Sequence, residues 1–305
     1  MSLTATITNI SRCSVHDGDG VRSVVYFKGC GLRCAWCHNP ETLTPRTNIV
    51  YAENKCIGCG ACIEVCPAHH KAGERHMVFL RDGCIECGKC ADACPTQAIS
   101  ACGERKTLQE VFDEVAKDRH YYEQSGGGVT LSGGECLLQA DFAAALLQKC
   151  KESGIHTAIE SAFFVPFDQV EKVLPFVDLV FADLKIPDSQ KHRAYTGQGN
   201  ELIVENLRRV TELSDRVVVR IPLIPGVNDG DADIEGFAAI LNTFGKGLRG
   251  VEVLKYNSLA ASKYEVLGKT YQAFGAQKQT AEALRAFCTR LQSAISHRCD
   301  VFFME

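Results

Sequence analysis

Val21-Arg22-Ser23-Val24-Val25-Tyr26-Phe27-Lys28 runs, across Gly29, into Cys30-Gly31-Leu32-Arg33-Cys34-Ala35-Trp36-Cys37. The first eight residues are rich in β-branched and aromatic types and read as a strand. The last eight put three thiols on one short loop at its end. A cubane cluster has four irons, so three cysteines leave one iron without a protein ligand. An open position of that kind is what a catalytic cluster needs, as at catalytic zinc. Cys30, Cys34 and Cys37 are the candidate ligands. On spacing alone a zinc loop remains the alternative, with the adjacent His38 as a fourth donor.

Downstream, Cys56-x2-Cys59-x2-Cys62-x3-Cys66-Pro67 is followed by Cys84-x2-Cys87-x2-Cys90-x3-Cys94-Pro95. This is the spacing of bacterial two-cluster ferredoxins, in which the fourth cysteine of each run ligates the other cluster. The rule assigns Cys56, Cys59, Cys62 and Cys94 to one 4Fe–4S cluster. Cys66, Cys84, Cys87 and Cys90 then hold another. Full ligation by cysteine points to electron transfer, from a ferredoxin or flavodoxin donor to the first cluster. A purely structural role for the segment is the alternative. From Tyr51 to Cys102 long apolar periodicity disappears, as expected where metal replaces a hydrophobic core. The expected organisation is therefore an insert at 51–102 within a domain formed by 1–50 and 103–305.

Beyond the insert, strands and helices alternate. Helices are expected over Thr107–Tyr122, Asp141–Ser153, Glu201–Leu213, Ile234–Phe244 and Thr280–Ile295. Thr107 and Glu110 form a possible capping box, and Gly154 a helix C-cap. Strands are expected at Val129–Leu131, His156–Glu160, Leu179–Leu184, Val217–Ile221 and Val251–Tyr256. Such alternation predicts an α/β fold with a parallel sheet. About six units do not close an eightfold barrel, so a partial (β/α)6 barrel is expected, with the two-cluster insert after its first strand. Chemistry in parallel α/β folds gathers at the C-terminal strand ends. The first cysteine loop, Gly133-Gly134-Glu135, Glu160-Ser161, Asp183-Leu184-Lys185, Arg220 and Asn257 all fall there, on different strands.

Bulk properties narrow the classes. The chain has 305 residues, 46% of them hydrophobic, and 33 basic against 37 acidic residues for a net charge of −4. That balance argues against a broad grip on nucleic acid. There is no apolar run long enough for a membrane span, and Met1–Ile10 lacks a signal-peptide pattern. Seventeen cysteines in such a chain suggest metal in a reducing cytoplasm, and an anaerobic setting, rather than disulfides. Cys13, Cys102, Cys136, Cys150, Cys288 and Cys299 lie outside the motifs and are read as small hydrophobes.

CxxxCxxC after a strand resembles the radical S-adenosylmethionine superfamily. The resemblance implies that the cofactor's amine and carboxylate chelate the open iron. One electron then cleaves the sulfonium C–S bond, and the resulting 5′-deoxyadenosyl radical abstracts hydrogen. It further implies that Trp36 lies beside the adenine and that Gly133, Gly134 and Glu135 meet the methionine amine. Glu160, Ser161, Asp183, Leu184 and Lys185 would surround the methionine end, where the resemblance also implies a site for a monovalent cation. Cys37, His38, Arg220 and Asn257 complete the implied cofactor contacts. His16-Asp17-Gly18-Asp19-Gly20-Val21-Arg22 matches HDGxGxR and resembles the glycyl radical enzyme activating enzymes, as does Arg220-Ile221-Pro222-Leu223-Ile224-Pro225-Gly226-Val227-Asn228-Asp229. The insert resembles that of the larger activases. Two positions depart from the family: Cys136 follows Gly-Gly-Glu where proline is common, and Asn257 stands where Pro-Tyr-His places histidine.

The resemblance implies abstraction of an α-hydrogen from a backbone glycine of a partner enzyme, whose loop enters the partial barrel. A monomer is the default expectation. A second reading is radical modification of a small molecule or peptide side chain, although such relatives commonly carry auxiliary clusters near the C-terminus. A third is an iron–sulfur electron carrier, which three-cysteine ligation at Cys30, Cys34 and Cys37 disfavours. Cleavage of S-adenosylmethionine separates the last from the others.

Overall fold

A computed structural model of the chain describes residues 3–66, 71–275, 279–296 and 299–304. Pro67, expected to end the first ferredoxin-type run, lies outside the described residues. The strands are β1 (Thr4–Ser14), β2 (Arg22–Phe27), β3 (Asn48–Tyr51), β4 (Lys71–Ala72), β5 (Met77–Val78), β6 (Ile99–Cys102), β7 (Glu104–Thr107), β8 (Gly128–Gly133), β9 (His156–Ser161), β10 (Leu179–Asp183), β11 (Val217–Leu223), β12 (Leu248–Lys255) and β13 (Asp300–Phe302). Nine of them form one open sheet in the order β13-β12-β11-β10-β9-β8-β2-β1-β7. From β2 to β13 every pairing is parallel. The expected mostly parallel α/β sheet is present, with β13 as a short seventh parallel strand.

Two features depart from the sequence reading. The strand before the cysteine loop is the second of the chain, because β1 precedes it and pairs antiparallel with both β2 and β7. Thr4–Ser14 escaped notice because its polar residues interrupt the apolar alternation. The helix expected over Thr107–Tyr122 is two helices, Leu108–Ala116 and Arg119–Ser125. Its start is as expected, with Thr107 and Glu110 making the full capping box. The break falls at Asp118, whose buried carboxylate leaves the helical path. It accepts hydrogen bonds from the Arg12 guanidinium and from Ser23 Oγ at 2.7 Å.

That pair holds the Asp118 carboxyl below its ordinary value of 3.8, chiefly through the Arg12 hydrogen bond. Its stabilisation is thus present above pH 3.8 and is lost as pH falls through the depressed native value. Asp118→Asn is expected to cost about 1–3 kcal/mol near neutral pH, because a buried amide cannot accept from both the exposed Arg12 guanidinium and the buried Ser23 hydroxyl as the carboxylate does. The loss should shrink as the wild type is acidified, which anaerobic denaturation at several pH values would read. An equal loss at all pH values would contradict it.

The parallel register sets the site. Side chains of directly paired residues in a parallel ladder point to the same face. Phe181 pairs with Glu160, Asp183 with Arg220, and Arg220 with Glu252. On the other side of β9, Tyr26 of β2 pairs with Ser132 of β8. These residues line the concave interior. The alternate positions, such as Val180, Ala182, Val217, Val219 and Ile221, are fully buried in the main core with helix residues Phe142, Leu146, Leu207 and Phe237. Fully burying each large side chain there contributes roughly 1.5–3 kcal/mol.

The segment between β2 and β7 packs differently. β3 pairs with β6 and β4 with β5, and its small core joins Ile49, Met77 and Ile99 to Cys62 and Cys90. Five of the eight ferredoxin-type cysteines fall within or against that core.

The His16–Gly20 loop connects β1 to β2 and so lies at the N-terminal ends of the parallel strands. Three of its carbonyls are fixed by the barrel interior. His16 accepts from Arg220 Nη2 at 3.1 Å, Asp17 from Thr130 Oγ1 at 2.8 Å and Asp19 from Arg22 Nη1 at 3.2 Å. Gly20 has φ +70°, and a Cβ there would lie 2.5 Å from the Gly127 nitrogen. Glycine is therefore required at this crossing.

Candidate active site at the strand ends

An open cavity of about 1070 Å³ sits at the C-terminal strand ends. Cys30, Cys34, Trp36, Cys37, His38, Gly133, Gly134, Glu160, Ser161, Asp183, Lys185 and Arg220 all line it. The motifs picked from sequence therefore converge in space, from loops and strand ends separated by up to two hundred residues.

Glu135, Leu184 and Asn257 stand outside the lining. Glu135 is 1% exposed. Its carboxylate accepts from Ser161 Oγ at 2.8 Å, Ala162 N at 3.0 Å and Leu137 N at 3.2 Å. Burial pushes its carboxyl up to about 7 against those bonds. Leu184 is buried in the main core. Asn257 turns its side-chain oxygen to Leu259 N at 3.2 Å, and its backbone carbonyl meets His38 Nε2 at 3.2 Å. Cys136, at the other departure from the family, is fully buried behind the cavity with its Sγ 3.8 Å from the Glu160 carbonyl.

The Gly-Gly-Glu glycines also have a use that the sequence did not suggest. A Cβ on Gly133, at φ +113°, would stand 2.3 Å from Phe27 N, and one on Gly134 would stand 2.2 Å from the Gly29 carbonyl. Gly134 N and Glu135 N donate to the Phe27 and Gly29 carbonyls at 2.9 and 2.8 Å. The two glycines thus let the end of β8 close directly on the root of the cysteine loop.

Three half-buried thiols with no disulfide partners face one cavity. Burial pushes Cys30 and Cys37 up to about 11 and Cys34 to about 12. Cluster binding displaces the protons of such buried thiols. The donor set and the shared wall fit an iron–sulfur cluster. Trp36, 5% exposed, packs its indole against Tyr195 and Phe274, with ring centres 6.3 and 6.1 Å away.

Opposite the cysteines, charges are paired. Lys185 Nζ donates to Asp183 Oδ2 at 2.6 Å. Burial pulls this ammonium down, but Asp183 and the Cys34 and Cys30 sulfurs outweigh it and hold it above its usual value. Arg220 bonds Glu160 through Nη1 and Glu252 Oε2 through Nε at 2.7 Å, with Phe181 stacked 3.6 Å from its guanidinium carbon. Ser132 Oγ donates to Glu160 at 2.7 Å. Glu252 was missed from sequence. Its strand partner Arg220 and the odd carboxylate in an apolar strand were the available signals. Tyr256 and Ser132, which also line the cavity, flank motifs that were read.

The second ferredoxin-type feature is equally local. Cys56, Cys59, Cys62 and Cys94 share the wall of a separate cavity of about 630 Å³. Burial pushes the Cys90 thiol up to about 11, with Cys66 and Cys84 nearby adding to the rise.

Comparison with known proteins assigns this arrangement to a class. Residues 83–238 match the Radical SAM superfamily, residues 55–99 a 4Fe-4S dicluster domain and residues 16–60 a 4Fe-4S single cluster domain. A solved radical SAM methyltransferase from Sphaerobacter thermophilus superposes with a TM-score of 0.56 at 15% identity, covering 98% of this chain and 76% of that one. That likeness concerns the fold alone. The chain is 43% identical over 277 residues to the choline trimethylamine-lyase activating enzyme of Oleidesulfovibrio alaskensis, covering 89% of each. It is 42% identical over 282 residues to the trans-4-hydroxy-L-proline dehydratase activating enzyme of Clostridioides difficile, covering 91% of this chain and 93% of that one. The chain belongs to the glycyl radical enzyme activating enzymes of the radical SAM superfamily. It is an enzyme that uses iron–sulfur and S-adenosylmethionine chemistry to generate a radical on a glycine of a partner protein. Among the described residues no helix is long and apolar enough to cross a membrane.

Proposed function

We propose that the strand-end cavity is where this activation occurs, with Cys30, Cys34 and Cys37 holding the cluster that binds S-adenosylmethionine. When bound, the cluster and cofactor supply the one-electron cleavage and the 5′-deoxyadenosyl radical. The chain's own residues position and shield. Gly133 and Gly134 present backbone to the methionine end, and Trp36 gives an apolar wall for the adenine. Glu160, Asp183, Lys185 and Arg220 form a neutral-on-balance charged floor around the carboxylate and ammonium, where a monovalent cation also fits the paired acids. Glu135 backs this floor through Ser161. Leu184 and Asn257 act from behind the wall, through Arg220 and His38. No proton needs to move, because the step transfers a hydrogen atom. The observation that carries the reading is the convergence of cysteine loop, Gly-Gly turn and charged floor in one cavity.

In this reading residues 51–102 form the ferredoxin-like insert, and 1–50 with 103–305 the catalytic domain. Cys56, Cys59, Cys62 and Cys94 hold a second 4Fe–4S cluster, which the shared cavity supports. Cys66, Cys84, Cys87 and Cys90 hold a third. They pass electrons inward from a ferredoxin or flavodoxin. The protein acts as a cytoplasmic monomer on its partner's glycyl loop. Relatives at similar identity are activating enzymes for a lyase and for a dehydratase, so the partner is read as a lyase or dehydratase of small polar substrates.

The test is anaerobic incubation of reconstituted protein with S-adenosylmethionine, reductant and the glycyl radical enzyme encoded beside it. A glycyl doublet by electron paramagnetic resonance is expected, with one 5′-deoxyadenosine per radical. Cofactor cleavage without a doublet on any neighbouring partner would refute the assignment of a protein glycine as target.

A further inference from the structure

We propose that the two cysteine sets of the insert stand in series, Cys66, Cys84, Cys87 and Cys90 inward and Cys56, Cys59, Cys62 and Cys94 outward. The inward set faces the Cys30–Cys37 loop and the outward set meets the external donor. This rests on the reading above that the insert relays electrons, one for each cofactor molecule cleaved, from a low-potential protein donor.

The insert is stapled to the barrel on the Cys84 side. Arg81, whose carbonyl accepts from Cys84 N at 3.0 Å, reaches out of the insert. Its Nη2 donates to the Val266 carbonyl at 2.7 Å and its Nη1 to the Ile49 carbonyl at 3.3 Å. The fit is close, since a Cβ on Gly268 would stand 2.2 Å from Arg81 Nε. The neighbouring Lys269 points the other way, with Nζ 3.5 Å from the Pro40 carbonyl, three residues past Cys37. Arg81 and Lys269 therefore make a short cationic bridge between the Cys84 turn and the Cys37 turn. Glu86, between Cys84 and Cys87, adds an ion pair to Arg46 at 3.4 Å.

Both chain crossings are fixed on the same side. Lys28, next to the Gly29–Cys30 turn and 1% exposed, donates to the Glu41 carbonyl and to Asn48 on β3. At the exit, a Cβ on Gly103 would lie 2.4 Å from Lys28 Cδ. By contrast, the cavity shared by Cys56, Cys59, Cys62 and Cys94 is lined, among the described residues, only by positions from 51 to 99. No described residue of 1–50 or 103–304 is among them. Cations near a cluster favour its reduced form, so a bridge of two cations suits the inner station.

Cys59→Ser and Cys87→Ser each weaken one set while leaving the barrel cysteines intact. In fully reduced holoprotein, magnetic coupling broadens the electron paramagnetic resonance signal of the cofactor-sensitive cluster. That coupling is expected to persist in C59S and to be lost in C87S. The opposite pattern overturns the order. Should C87S fail to retain its insert, Arg81→Gln keeps every ligand. It is expected to weaken the same coupling while leaving that between the two insert sets unchanged, and an unaltered spectrum also overturns the order. Stopped-flow reduction by a flavodoxin-class donor separates the premise. Slower arrival of the electron at the Cys30–Cys37 cluster in both cysteine variants supports the relay. Unchanged arrival in both refutes the relay, even where the coupling pattern upholds the order.

Discussion

Cys34→Ala is expected to abolish S-adenosylmethionine cleavage in a protein that still folds; on the proposed three-cluster assignment it keeps about two-thirds of its iron, because four of some twelve irons are lost. Cys34 lies on the cavity wall and packs against both the main core and the Trp36 cluster. Alanine keeps the small apolar bulk of the residue, so the loss is chemical and not structural. The cluster is the electron's route to the cofactor, so its loss removes the step itself: 5′-deoxyadenosine should fall at least about a thousandfold, roughly 4 kcal/mol at 1.36 kcal/mol per decade. Quantifying 5′-deoxyadenosine with dithionite as reductant removes any dependence on the insert. The signal broadened by added cofactor should vanish while the remaining reduced-cluster signals persist. Retained cleavage above a hundredth of the wild type would show that Cys34 is not a ligand.

Arg220→Met is expected to be among the most destabilising single changes in the barrel, costing about 3–5 kcal/mol, because it strands charges inside the fold. Arg220 is 6% exposed, and its two carboxylate partners are Glu252 on the adjacent β12 and Glu160 on β9, two strands away on the other side. Methionine fills the space but leaves Glu160 and Glu252 without a cation. Glu252 already has one oxygen with no partner, so it has no second bond to fall back on. Burial raises the Glu160 carboxyl, and Arg220 is the main opposing influence. Without that influence its native pKa rises further above the unfolded value. The variant then loses stability as pH rises through that native value, and the gap to wild type widens from pH 5.5 to pH 8. Anaerobic thermal unfolding at those two pH values would read it. Arg220→Lys should recover only part, since one ammonium cannot bridge both acids and the His16 carbonyl. A loss below about 1 kcal/mol at pH 8, the scale of an exposed pair, would mean the network is solvent-screened.

Much of the site was legible because its chemistry is local in sequence. Cys30, Cys34 and Cys37 need only a loop, and the ferredoxin-type spacing is read in single runs. The strand-end rule then gathered Gly133, Glu160, Asp183, Lys185 and Arg220 without any coordinates. What escaped depended on register or on distant partners. Glu252 gained its meaning only from standing beside Arg220 on the next strand. Asp118 looked like an ordinary mid-helix residue, and only Arg12 and Ser23, about a hundred residues away, explain why the helix breaks there. β1 was missed because its alternation, Thr4-Ala5-Thr6-Ile7, is short and breaks at Thr8-Asn9, and its place between β2 and β7 shows only in the sheet. The Gly-Gly pair was assigned to ligand approach, whereas the closest atoms to it belong to the Phe27–Gly29 backbone.

The His16–Gly20 loop, fastened by three of its carbonyls across the N-terminal ends of the strands, leaves the cavity at their C-terminal ends as the door in the reading proposed above. On the proposed assignment, cofactor and partner loop must both use that door, and the cofactor's place is the deeper one. The order of arrival is then fixed: the small molecule enters first, and the partner's loop follows and seals it in. A partner that arrives early blocks the entrance and must leave before turnover can begin. Excess partner should therefore act as a brake competitive with S-adenosylmethionine.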